Sequence, residues 1–160
     1  AARFYYVMRK SEQHIDFDLD LAVSQSKDNA VYYIQYAHAR VNRMVDVKAP
    51  EKGIPFDRSK VADYDATLLV LDAETEILAK LAAYPEIVLR AANSYEPHQV
   101  GNYLKELAAL FHGWYNLDNT RIIDEQNIAL SQARLLLSIN VQQVLRNGLE
   151  LLGVSAPETM

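Results

Sequence analysis

The chain has 160 residues, is 50% hydrophobic, and holds only 5 Gly and 5 Pro. That suits one domain with a real core and favours helices, which tolerate few breakers. With no cysteine and a formal charge of −5, disulfide stapling is excluded and bulk charge cannot draw the chain to nucleic acid. Apolar runs such as "LLLSI" are too short to span a bilayer. No charged-then-apolar leader opens the sequence, so a cytoplasmic protein is expected.

Residues 4–8 are aromatic, β-branched and apolar, and read as a strand. No second strand is evident, so this one reads as left over from a neighbouring domain. The stretch "HIDFDLDLA", His14 to Ala22, raises a metal question, with Asp16, Asp18 and Asp20 at alternate positions. A calcium loop counted from Asp16 needs Gly sixth and Glu twelfth. The sequence has Leu21 and Lys27 there. A helix start is the better reading, because Asp at an N-cap and in the first turn meets the positive end of the dipole. A short helix is expected over 16–25, and no metal site.

"SKDN" is a break in which Asp28 or Asn29 can cap a helix over 30–45. Residues 46–57, with two Pro and one Gly, read as a loop, and 58–71 as irregular. Helices follow over 72–83, from Pro85 to about 94, and from Pro97 to about 117. Residues 118–124 read as a connector. A last helix spans 125–152 and stops at Gly153. Long helices with short connections predict an all-α bundle.

The helix over 30–45 carries the most information. At 100° per residue, Ile34, Ala37, Val41, Met44 and Val45 form an aliphatic stripe. Tyr32, Tyr36, Arg40 and Arg43 gather on another side, with Tyr33 at its edge. Tyrosine rings can stack on bases, and arginine reaches phosphates or base edges. Alternatively, the tyrosines pack on neighbouring helices with their hydroxyls in water. His38, beside the core stripe, reads as a hydrogen-bonded structural histidine, and His98 as a capping or exposed one. His112, Trp114 and Tyr115 form an aromatic cluster that reads as core or as a partner surface. No Gly-rich phosphate loop, nucleophile elbow or Ser-His-Asp set can be argued, so no catalytic residue is assigned.

Four segments carry a resemblance: "HIDFDLDLA", "NAVYYIQYAHAR", "LAAYPEIVLRAANSYEPHQVGNYLKELAALFHGWYN" and "LSQARLLLSINVQQVLRNGLELLGVSAPETM". Together they closely resemble the C-terminal part of bacterial arginyl-tRNA synthetases, over nearly the whole chain. The resemblance implies a DALR-type, all-α anticodon-binding domain at 29–160. It also implies that 1–28 is the end of the catalytic domain and a junction helix. The family's His-Ile-Gly-His and Lys-Met-Ser-Lys signatures are absent here, and the resemblance puts them upstream. The implied partners are arginine tRNA and that catalytic domain, with neither membrane nor DNA. The implied cofactors are ATP with magnesium for the parent ligase and none for this portion. The implied anticodon contacts are Tyr33, Tyr36 and Arg40, then Trp114 and Tyr115, then Met160, with Arg43 and Arg134 as weaker members. Thr159 stands where the family pattern leads us to expect Arg, and "SQARL" replaces the namesake tetrapeptide. The rival reading is a helical protein–protein interaction module whose Tyr and Trp are interface anchors.

Overall fold

The computed structural model describes residues 2–9, 18, 20, 22, 24, 26, 28–118 and 120–160. All regular structure among them is helical. Most of the expected helix over 16–25, with His14 and Asp16, lies outside the described residues; of those described, Asp20 and Ala22 are helical, and the Ala22 N–H bonds the Asp18 carbonyl at 3.1 Å. No described helix is long and apolar enough to cross a membrane.

Helix α1 covers Ala2–Val7. This corrects the strand expected over 4–8. A short apolar run fits either period, and here the helical one wins. Phe4 and Met8 fall on one face, joined by a Met8 N–H to Phe4 carbonyl bond of 3.0 Å. Phe4 is 1% exposed, in the core. Met8 sits so close to Gly101 that a side chain there would collide with its sulfur. A strand would have left its ladder groups without a partner strand among the described residues; a helix pairs its own.

Helix α2 spans Ala30–Arg43 and starts at Asn29, whose side chain accepts the Tyr32 N–H at 3.3 Å. Its aliphatic stripe faces inward, with Ile34, Ala37 and Val41 fully buried. The helix does not yield to a loop at 46. It widens into a π-turn over Met44–Lys48 and adds a last turn, Ala49–Glu51. The wider turn puts Pro50 at the start of that last turn, where its missing N–H costs nothing. Single turns at Val61–Asp63 and Ala66–Leu68 occupy the irregular segment.

Helices α3 (Asp72–Ala82), α4 (Tyr84–Ser94), α5 (His98–Tyr115) and α6 (Ile128–Leu151) follow within a few residues of expectation. Helix α5 is the hub and packs on α1, α2, α3, α4 and α6. Leu104, Leu107 and Phe111 of α5 meet the inner face of α6, where Leu135, Leu145 and Leu149 are fully buried. Gly148 lets these two helices close, because any Cβ there would strike Leu104. Gly153 then takes φ +66°, the left-handed value that ends α6. Its carbonyl accepts Arg3 Nη1 at 2.6 Å, which pins α1 to the end of α6.

Candidate nucleic-acid interface

The aromatic-basic side of α2 meets the end of α5. Arg40 is the centre of the arrangement. Its Cζ lies 4.6 Å from the Tyr36 ring centroid and 4.3 Å from that of Tyr115. The guanidinium is thus flanked by two rings, a favourable cation–π geometry. Arg40 Nη2 donates to the Tyr36 hydroxyl at 3.2 Å, and Nη1 bonds His112 Nδ1 at 2.9 Å. Tyr36 also stacks on Tyr32, at 6.2 Å and 4° between planes. Tyr36 keeps 38% of its surface in solvent.

A cleft of about 620 Å³ opens beside this cluster. Tyr36, Arg40, Arg43, Lys48, Tyr115 and Met160 are among its walls. Lys48 Nζ donates to the Tyr115 hydroxyl at 2.8 Å, so the π-turn carries a third cation to the same opening. Asp46 and Glu158 also line it, but each faces a cation outside the set: Arg58 at 3.5 Å and Arg146 at 3.9 Å. Three cations, Arg40, Arg43 and Lys48, thus line the cleft against two acids, in a chain of net charge −5. Flat rings, an apolar thioether and guanidinium donors are what a splayed base and its phosphate need.

The tail reaches the cleft because α2 holds it by its backbone. Gln35 Nε2 donates to Ser155 O at 2.7 Å, His38 Nδ1 to Pro157 O at 2.8 Å, and Asn42 Nδ2 to Glu158 O at 3.2 Å. Residues 35, 38 and 42 follow helical spacing, so one row of side chains holds three tail carbonyls in chain order, those of 155, 157 and 158. His38 is fully buried, and burial first, with the backbone bond opposing, holds its pKa below the usual range. Met160 and Thr159 end in the cleft wall as a result.

Tyr36, Arg40, Arg43, Tyr115 and Met160 thus converge from three parts of the chain. Tyr33 stands one layer behind: its ring lies 4.5 Å from that of His112, and its carbonyl is 3.3 Å from His112 Nε2. Trp114 does not reach the cleft. It is 1% exposed, lies against Phe111 at 6.2 Å, and its Nε1 has no partner among the described residues. Arg134 is also elsewhere, with its Nε 2.7 Å from Glu74 Oε1 and its Nη1 donating to Arg121 O at 2.8 Å. That buried pair ties α6 to the start of α3, where Glu74 Oε2 accepts the Leu71 N–H. Sequence reasoning missed Lys48, because Pro50 and Gly53 made its surroundings look like loop. It also missed the row at 35, 38 and 42, whose polar side chains at helical spacing were the available signal.

Known proteins share this architecture. Residues 34–160 match the family described as DALR anticodon binding domain. Over all 160 residues the chain is 76% identical to an arginine–tRNA ligase of Acinetobacter baumannii (strain AYE), and it spans 26% of that protein's length. It superposes on Thermus thermophilus arginyl-tRNA synthetase with a TM-score of 0.76 and 34% identity, covering 99% of this chain and 26% of that one. A Campylobacter jejuni protein described as a candidate arginyl-tRNA synthetase shares the fold, with a TM-score of 0.82 at 24% identity over 99% of this chain and 32% of its own. With a family match across most of its length and a helical bundle to go with it, the chain belongs to the DALR anticodon-binding domain family.

Proposed function

We propose that this chain grips the anticodon stem-loop of arginine tRNA for a parent arginine–tRNA ligase, the ATP-dependent enzyme that attaches arginine to its tRNA. The observation that carries the reading is the Arg40 guanidinium between the Tyr36 and Tyr115 rings, at the mouth of a cleft walled by Met160. A base swung out of the loop stacks on a ring while Arg40 or Arg43 meets its edge or its phosphate. Tyr33 and His112 brace this layer from behind. Trp114 and Arg134 act through the fold and take no base.

In this reading residues 29–160 form the anticodon-binding domain, and 1–28 join it to the catalytic domain. ATP and magnesium belong to that other domain. The parent enzyme would work in the cytoplasm. This portion alone should not catalyse arginine-dependent pyrophosphate exchange.

Binding of the anticodon stem-loop at several salt concentrations tests the reading. Affinity should fall linearly on a log–log plot against salt, by about 0.7 per phosphate neutralised. An affinity indifferent to salt would speak instead for an apolar protein interface.

A further inference from the structure

A second, smaller cleft of about 410 Å³ lies beside the first and shares three of its walls, Met44, Lys48 and Tyr115. Tyr115 is therefore a partition with an opening on either side. Lys48 sits on that partition, held by its bond to the Tyr115 hydroxyl. The new walls are Lys52, Arg121, Thr120, Ile122 and Ile123, with Glu51 as the opposing charge.

Two of these cations are available to a ligand. The Arg121 guanidinium has no hydrogen-bond or ion-pair partner among the described residues. Its backbone is nonetheless fixed, because its carbonyl accepts Arg134 Nη1 at 2.8 Å. Lys52 meets Glu125 at 2.6 Å, but both side chains are more than half exposed, at 58% and 57%. Such a pair is weak and can be exchanged for a phosphate. Ile122 is buried at 5% exposure and gives the cleft an apolar floor. Cations at the rim and an aliphatic floor suit a nucleotide held mainly by its phosphate and sugar.

We propose that the second cleft seats the next nucleotide of the same RNA strand, so that the strand crosses over Tyr115 with one nucleotide in each cleft. Lys48 meets the linking phosphate, and Arg121 and Lys52 meet the phosphate beyond it. This rests on the anticodon-loop reading of the first cleft and extends it. The division of labour follows from the walls: the first cleft, with its exposed ring, Arg40 and Met160, discriminates bases. The second supplies affinity and salt dependence with little sequence preference.

The test is the salt dependence of anticodon stem-loop binding by the full-length protein and by Arg121→Gln and Lys52→Gln. Both residues are exposed, so folding should be unaffected, which thermal melting checks. A third variant, Arg90→Gln on α4, removes the same charge from a helix that lines neither cleft. The expected result is a slope shallower by about 0.7 for each of the first two variants. Preference for the arginine stem-loop over an unrelated one should be retained. The Arg90 variant should keep the parent slope. If the parent binds but Arg121→Gln and Lys52→Gln keep its slope, the second seat is wrong and the first reading stands. A change of equal size in Arg90→Gln would show a bulk-charge effect and also overturn the proposal. If the parent does not bind the stem-loop at all, both readings fall together.

Discussion

Arg40 donates from Nη1 to Nδ1 of His112 across 2.9 Å, and this one bond fixes where the imidazole keeps its proton. Arginine has no acceptor, so Nδ1 must be bare and Nε2–H must point at the Tyr33 carbonyl, 3.3 Å away. Burial, and next to it the Arg40 charge, depress the His112 pKa to about 4, against a backbone bond that pulls the other way. The unfolded chain titrates near the ordinary 6.5. Between those values the unfolded state binds more protons, so stability is full above pH 6.5 and is lost as pH falls toward 4. The expected loss from this residue is on the order of 2–3 kcal/mol at pH 4.5. His38, depressed in the same direction, adds to it. Urea melts at pH 7 and pH 4.5 on the parent and on His112→Gln check this: the parent should lose more. Equal losses would mean that the buried imidazole is not held neutral.

The exposed ring of Tyr36 should matter more for RNA than for the fold. Tyr36→Ala is expected to weaken anticodon stem-loop binding by about 1–3 kcal/mol. Tyr36→Phe keeps the ring and loses only the hydroxyl that Arg40 bonds, so its effect should be smaller. Fluorescence anisotropy titrations resolve the two. A Phe variant as weak as the Ala variant would move the role from the ring to the hydroxyl.

Trp114 should behave in the opposite way. It is buried against Phe111, so Trp114→Ala should cost about 3–5 kcal/mol of stability. Binding per folded molecule, measured at low temperature, should stay near the parent value. A loss of affinity in protein shown by circular dichroism to be folded would put the indole at the ligand after all.

The tail is a separate element with its own fastening. Replacing both Gln35 and Asn42 by Ala removes two of its three backbone tethers from half-buried positions on α2, along with the bond that Asn42 Oδ1 accepts from Gln142 Nε2 at 2.6 Å. Hydrogen exchange at residues 154–160 should quicken while the core amides of α5 and α6 keep their protection. RNA binding should weaken as Met160 leaves the cleft wall. Unchanged exchange in the tail would mean that His38 alone holds it.

The parts of this molecule that sequence reveals are those settled by local chemistry. Asn29 caps α2 by a contact three residues long, and Ile34, Ala37 and Val41 point inward because period and polarity agree. Gly153 ends α6 because only its left-handed φ fits. What stayed hidden depends on partners far along the chain. Residues 4–8 became a helix through docking against Gly101 and the carbonyl of Gly153. The π-turn, which no local signal announces, carried Lys48 to Tyr115. Arg134 looked available because Glu74, sixty positions away, is invisible as its partner in sequence. The aromatic and basic side of α2 was legible, but that Tyr115 and Met160 complete it is a fact of packing.

On the proposed function, the cleft between Tyr36, Arg40 and Met160 reads an anticodon loop. The most direct measurement is a titration of the full-length protein with arginine tRNA and with an unrelated tRNA, repeated for Arg40→Ala. The parent should bind arginine tRNA more tightly, and the variant should be folded but have lost most of that preference. Equal affinity of the parent for both tRNAs, or a folded Arg40→Ala that discriminates like the parent, would contradict that function.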